Sequence, residues 1–245
     1  MYHFFVDSGQ VKEKEITLTG PDVNHIRNVL RMSLGEEILI SDGTGGNYKC
    51  RIRSLENDRI VADILENGGV GNEPGARFYL FQGVPKSDKM ELIIQKAVEL
   101  GVYEIIPVFT KRSVVKLDEK KREAKLKRYN AISESAAKQS GREIIPKVNS
   151  FMTFKEALAY AGDFSINIIP YENFKDMNAT RTIFAQIENG MSVGIFIGPE
   201  GGFDGDEIIQ ADGCGVKQIS LGKRILRTET AGMAVLSILM FNMEK

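Results

Sequence analysis

Two short stretches near the C-terminus carry residue types that could hold a small ligand. Residues 195–203 read Ile-Phe-Ile-Gly-Pro-Glu-Gly-Gly-Phe, and 219–231 read Ile-Ser-Leu-Gly-Lys-Arg-Ile-Leu-Arg-Thr-Glu-Thr-Ala. Each is a buried-strand pattern running into a glycine-bearing loop and then a helix. Glycine lets the backbone approach a ligand closely and adopt positive φ, and the amides of such a turn can hydrogen-bond a base or a ribose. The alternative is a tight strand-to-helix turn that needs only a permissive backbone. Neither stretch is a phosphate loop, since no Gly-Lys-Ser/Thr follows, and neither has the GxGxxG dinucleotide spacing. Glu200 would repel a phosphate and favour a cationic ligand. In the second stretch Lys223, Arg224 and Arg227 crowd a helix start, which prefers negative charge. A nucleic-acid phosphate would offset that cost; otherwise these long side chains reach into solvent. Thr228 is the expected N-cap of the helix.

A third stretch, residues 133–142, reads Ser-Glu-Ser-Ala-Ala-Lys-Gln-Ser-Gly-Arg. Its small residues and Gly141 suit close helix packing with a glycine stop. The functional reading has Gln139 and Arg142 projecting into a site.

These stretches need elements to position them. From about residue 76 the chain alternates strand and helix. Strands are expected at 76–84, 104–109, 164–170, 192–197 and 216–221. Helices are expected at 87–100, 118–139, 154–161, about 182–188, 204–212 and 229–243. The last has Ala231, Ala234, Val235, Ile238 and Leu239 on one face. Alternating β and α elements predict a mostly parallel, doubly wound sheet. Ligands bind such sheets beyond the carboxyl ends of the strands, and the two glycine loops lie side by side if their strands are neighbours.

Residues 1 to about 66 read differently. Short strand patterns surround one helix, about 21–32, with Pro21 at its start. This predicts a small barrel. The strand 47–55 alternates, with Tyr48, Cys50 and Ile52 on one face and Lys49, Arg51 and Arg53 on the other. Residues 67–75, with four glycines and Pro74, form the expected linker. The predicted domains are therefore 1–70 and 75–245.

Composition narrows the classes. The chain has 245 residues, 42% hydrophobic and 27% charged, as in ordinary globular proteins. No apolar run is long enough to span a membrane, and residues 1–7 do not form a signal peptide. Two cysteines and two histidines without ligand spacing make a metal site unexpected. A reduced, cytoplasmic setting follows. The formal net charge is −1, but nine bases against three acids between Lys111 and Arg128 leave a local excess of six positive charges.

Five motifs occur in one order: His25-Ile26-Arg27-Asn28-Val29-Leu30-Arg31, the segment Lys89 to Val102, Ala136 to Arg142, Gly198 to Phe203 and Leu221 to Ala231. Together they resemble the RsmE family, which methylates N3 of a uridine in 16S ribosomal RNA with S-adenosyl-L-methionine. The resemblance implies a SPOUT methyltransferase domain with a C-terminal trefoil knot, an N-terminal PUA-like β-barrel and a homodimer. It implies cofactor contacts from Pro170, Ile197, Gly198, Pro199, Gly201, Gly202, Leu221, Gly222, Ile225, Leu226 and Thr230. Arg227 and Arg142 are expected to hold a phosphate or a uracil oxygen of the target. Glu200 has three open roles: facing the sulfonium, orienting an arginine, or stabilising its loop. Arg27, Arg31, Lys49, Arg51 and Arg53 are the expected RNA contacts, mostly to phosphates. The family often has two adjacent histidines where this chain has Asn24-His25, and an acid where it has Lys138. Rival readings are a non-catalytic RNA-binding or ribosome-assembly protein, and a knotted methyltransferase acting on a ribose 2′-hydroxyl or on tRNA.

Overall fold

A computed structural model describes residues 1–68, 71–115 and 117–243. Gly69 and Val70 of the expected linker, and Lys116 of the basic segment, lie outside the described residues. The chain divides into two compact units. One comprises Met1–Glu73 with Ala137–Ile145, and the other Pro74–Ala136 with Pro146–Lys245.

The first unit is a five-stranded sheet. Its strands are β1 (Tyr2–Phe5), β2 (Glu15–Thr19), β3 (Glu37–Ser41), β4 (Asn47–Leu55) and β5 (Arg59–Asn67), in the order β1-β3-β4-β5-β2. Its apolar faces and the helix α1 (Pro21–Asn24) enclose a core that includes Ile16, Leu18, Ile26, Ile38, Ile40, Cys50, Ile52 and Ile60. The expected single helix at 21–32 is shorter: α1 passes into a π turn over His25–Val29, and Arg31 has φ of 52°. The alternation of β4 places Lys49, Arg51 and Arg53 on one face, as its pattern requires. Carboxylates stand opposite them. Lys49 lies 3.0 Å and Arg51 2.9 Å from Glu37, and Arg53 reaches Glu15 at 2.5 Å and Asp63 at 2.9 Å. The three cations belong to a cross-strand charge ladder.

The segment 137–145 belongs to this unit through Arg142. Its side chain is 4% exposed, and its guanidinium reaches Glu73 Oε2 at 2.5 Å. Glu73 also accepts from the amides of Glu143 and Ile144, and Asn72 donates to the Gly141 carbonyl. Fixed donors converge on one carboxylate, so this pair orders the two segments against each other.

The second unit contains β6 (Arg77–Gly83), α2 (Lys89–Glu99), β7 (Val102–Phe109), β8 (Lys147–Val148), β9 (Met152–Thr153), α4 (Phe154–Tyr160), β10 (Ile166–Pro170), α5 (Met177–Ala185), β11 (Ser192–Ile197), α6 (Gly205–Gly213), β12 (Lys217–Ile219) and α7 (Thr228–Met243). Helix α3 spans Glu119–Ser140. The sheet order is β12-β10-β11-β6-β7-β8, with β9 also on β7, and every pairing is parallel. The strands β6, β10 and β11 are buried on both faces, which explains their nearly continuous apolar runs.

On one sheet face Tyr79, Phe81 and Phe196 pack with Phe154, Leu158, Ile208 and Ala211 of α4 and α6. On the other, α2 and α7 pack together and α7 lies on β6 and β11. The chain thus returns from the edge strand β12 across the end of β11, a re-entry that ordinary doubly wound chains avoid. The buried stripe of α7 is Gly232, Val235, Leu236 and Leu239, one step round from the expected face. Ile238, expected in the core, is 40% exposed and Phe241 is 78% exposed. At Gly232 an added Cβ would lie 3.8 Å from Leu80, Gln82 and Ile197, an ordinary van der Waals distance, so this face packs on the sheet without requiring a glycine there.

Part of the basic segment is matched by neighbouring acids. Lys111 pairs with Asp204 and Asp206, Lys121 with Asp118, Arg122 with Glu119, and Arg128 with Glu91. Of these acids Asp204, Asp206 and Glu91 lie outside the segment, so they tie it to other elements while offsetting only part of its charge excess.

Removing one member of a buried ion pair leaves its partner uncompensated, so Arg142→Ala should destabilise the protein by roughly 3–5 kcal/mol. Urea unfolding checks this, and a loss below about 0.5 kcal/mol, the range of ordinary surface changes, would assign Arg142 no structural role.

Candidate cofactor site and rim

The strands β11, β10 and β12 end side by side and define the site. β10 stands between the two loop-bearing strands, which are not neighbours as the glycine loops alone suggested. Pro170 and Tyr171 therefore form the middle of the floor, with Gly198–Gly202 on one side and Leu221–Arg227 on the other. Together they enclose a cavity of about 460 Å³, within the usual range for small-molecule sites.

The first loop is anchored at several points. Thr228 Oγ1 donates to the Gly198 carbonyl at 2.6 Å and accepts from Gln82 Nε2 at 2.8 Å. The hydroxyl expected to cap α7 thus belongs to a buried link between β6, α7 and the loop. Gly202 N donates to the Pro199 carbonyl, and Arg112 donates to the Gly201 carbonyl at 2.9 Å. Gly83 is needed for close approach: a Cβ there would meet Pro199 at 2.6 Å. In the second loop Gly222 adopts φ of 101°, a left-handed conformation that favours glycine. Ser220 N donates to Thr180 Oγ1 at 2.9 Å, fixing the loop to α5.

The structure brings Pro170, Ile197, Gly198, Pro199, Glu200, Gly201, Gly202, Leu221, Gly222, Ile225, Leu226 and Arg227 to one cavity wall or rim. Thr230 is not among the lining residues. It is exposed on the outer side of α7, whereas Thr228 and Ala231, one helical turn apart, line the cavity. Arg142 is likewise not among them; it belongs to the first unit, where its guanidinium is engaged by Glu73. Of the expected RNA contacts, Arg31 is exposed, Arg27 donates to Asn57, and Lys49, Arg51 and Arg53 are in the charge ladder. Gln82, Arg112, Phe174 and Lys89 were missed. Gln82 carried a readable signal, a lone amide closing an apolar strand.

The lining suits an adenosyl ligand. Pro170, Ile197, Leu221, Ile225, Leu226 and Phe174 supply apolar surface, and the glycine loops bring backbone to the ligand. Partial burial pushes the Glu200 pKa up, but its own backbone amide, the Lys86 amide and the Lys89 ammonium outweigh burial and hold it below its ordinary value. The Lys86 amide donates to it at 3.1 Å and Lys89 Nζ lies 3.2 Å away. Of its three open roles, these contacts match loop stabilisation. At the rim Lys223, Arg224 and Arg227 are exposed, with no side-chain hydrogen bond or ion pair among the described residues. Among the described residues no group of three or more acidic, histidine or cysteine side chains could hold a metal, and no helix is long and apolar enough to cross a membrane.

The parallel sheet with a re-entrant C-terminal helix, and a ligand cavity between the loops it crosses, define a SPOUT-class α/β-knot methyltransferase joined to a PUA-like domain. The family description "RNA methyltransferase domain" matches residues 72–240, and "RNA methyltransferase PUA domain" matches 18–65. The chain is 36% identical to ribosomal RNA small subunit methyltransferase E of Bacillus subtilis, over 100% of this chain and 98% of that one. It is 38% identical to the enzyme of the same name from Mesomycoplasma hyopneumoniae, over 97% and 98%. It superposes on the crystal structure of ribosomal RNA small subunit methyltransferase E from Neisseria gonorrhoeae bound to S-adenosyl methionine with a TM-score of 0.85, at 32% identity and covering 99% and 98% of the two chains. The protein belongs to the ribosomal RNA small subunit methyltransferase E family.

Ionised Glu200 holds its loop, so its stabilisation is fully present above the ordinary glutamate value of about 4.5 and is lost as pH falls through the lowered folded value. The melting temperature of the wild type should therefore fall more steeply below that pH than that of Glu200→Gln. Superimposable acid profiles would contradict this.

Proposed function

We propose that this protein transfers the methyl group of S-adenosyl-L-methionine to N3 of a specific uridine in 16S ribosomal RNA, in the cytoplasm. The observation that carries the reading is the single cavity bounded by both glycine loops, with an exposed arginine at its rim. When bound, the cofactor supplies an electrophilic methyl group. The protein's part is alignment and electrostatics. The backbone at Gly198–Gly202 and Leu221–Leu226, with Pro170 and Ile197, holds the adenosyl part. Thr228 keeps the Gly198 carbonyl turned into the protein.

Arg227 stands where the acceptor must enter. We assign it to a uracil oxygen or the target phosphate, where a cation stabilises the negative charge that develops as N3 loses its proton. Lys223 and Arg224 extend the cationic rim toward neighbouring phosphates. Arg142 is assigned to the fold, since Glu73 already matches its charge. Of the expected RNA contacts in the first unit, Arg31 is exposed and has no side-chain hydrogen bond or ion pair among the described residues. Lys49, Arg51 and Arg53 can join it by trading exposed ion pairs, which contribute little individually, for phosphate contacts.

The same reading includes a homodimer. Helices α2 and α7 pack together and expose Leu92 at 44%, Ile238 at 40% and Phe241 at 78%. A helix apolar on both sides, covered by the sheet on only one, suits burial against a second copy.

Four measurements test these assignments. Calorimetric titration of S-adenosylmethionine should show saturable binding; no binding at high concentration would favour a non-catalytic RNA-binding protein. Arg227→Ala should lower kcat roughly 100-fold while leaving cofactor Kd within about twofold; near-normal turnover would remove Arg227 from the site. Mass-spectrometric mapping of the methylated RNA separates N3 of uracil from a ribose or tRNA target. Sedimentation should give a dimer for the wild type and a monomer for Phe241→Glu; a monomeric wild type would overturn the dimer.

A further inference from the structure

Lys89 is the first residue of α2 and lines the cavity, yet it belongs to neither glycine loop. Its Nζ lies 3.2 Å from Glu200 Oε1 and 3.4 Å from Glu229 Oε2. Glu200 is inside the first loop. Glu229 is the second residue of α7, immediately beyond the second loop. One ammonium on a third element therefore neutralises a carboxylate of the first loop and one at the start of α7, next to the lining residue Thr228.

The setting strengthens this link. The side chains of Lys89, Glu200 and Glu229 are 31%, 29% and 16% exposed, so water and salt screen them less than a surface pair. Glu229 Oε2 is buried and accepts no hydrogen bond among the described residues; its contact with Lys89 is an ion pair outside hydrogen-bond geometry. That oxygen depends on the charge of Lys89 rather than on a fixed donor. Glu200 has a second anchor in the Lys86 amide, but among the described contacts the Glu229 side chain reaches the first loop only through this lysine, beside the Thr228 link to the Gly198 carbonyl. Without the ammonium, the carboxylates of Glu200 on the first loop and Glu229 at the start of α7 are left close together in partly buried space, and their repulsion pushes the loop and the helix start apart.

We infer that Lys89 is a positioning residue that sets the separation of the first loop and the start of α7 at the S-adenosylmethionine pocket by neutralising Glu200 and Glu229 together. The inference rests on the cofactor reading above. It differs from a packing role in one respect. If charge balance is what matters, removing the lysine is repaired by also removing one of the carboxylates it balances. If Lys89 acts by shape, the second change brings no repair.

The test is a double-mutant cycle on the full-length protein, read as the Kd of S-adenosylmethionine by calorimetry, with circular-dichroism melting as the check on folding. Lys89→Met should weaken binding at least about tenfold, and Lys89→Met with Glu229→Gln should return it to within about threefold of the wild type, a coupling expected of residues in direct contact. Wild-type affinity in Lys89→Met, or a double variant that binds no better than the single one, overturns the inference. If Lys89→Met fails to fold and the double variant folds and binds, the charge argument stands; if neither folds, Lys89 is a folding residue and the inference falls. A wild type that binds no S-adenosylmethionine removes the cofactor reading and this inference with it. Wild-type binding with no effect of Lys89→Met removes the inference alone.

Discussion

The hydrogen-bonded link from Gln82 through Thr228 to the Gly198 carbonyl is the contact on which the site depends. It joins the end of β6, the start of α7 and the first glycine loop, three pieces far apart in sequence. The link is buried, so breaking it exposes polar groups to an apolar interior, which costs more than the bond itself contributes. Gln82 and Thr228 thereby oblige α7 to begin beside the first loop. That placement brings the second loop, which leads into α7, back across the ends of β10 and β11. The cavity is the space this return encloses. The re-entrant path and the ligand site are two consequences of one constraint.

Charge in this protein mostly serves position. The cations of β4 face acids on β2, β3 and β5, and the basic segment after β7 is partly matched by acids on α2, α3 and α6. Arg112 fixes a loop carbonyl, Lys89 bridges two carboxylates, and Arg142 gathers the linker end and the segment after α3. Against this background Lys223, Arg224 and Arg227 differ, since they are exposed cations at the rim of a cavity. Three unneutralised positive charges at a helix start are unfavourable in isolation, which is physical ground for expecting an anion there.

The division into units follows a similar logic. The alternation of strands and helices changes at 67–75, and the compact units divide at Glu73 and Pro74. The second crossing, at 137–145, has no compositional mark. A helical run with a glycine stop reads the same whether its end serves one unit or the other. Only Glu73, with its converging donors, decides it.

The sequence by itself determined the kind of each main element, the parallel sheet, and the two loops with their glycines. These depend on local periodicity and backbone permissiveness, which are written residue by residue. The motifs in order also carried the family, and the loops between Gly198 and Leu226 did converge on one cavity. What the tertiary structure decided was geometry across distance. It placed β10 between β11 and β12, rotated the buried stripe of α7 so that Ile238 and Phe241 face outward, and moved the helix contact from Thr230 to Thr228 and Ala231. It also turned Arg142 to Glu73 and three of the strand cations to carboxylates. A side chain's charge is legible in sequence, but its partner is not, because partners arrive from strands and helices that only the packed fold brings together. The glycine loops could be read as ligand turns from their spacing. Their service to one pocket was decided by a buried glutamine and a threonine on separate elements.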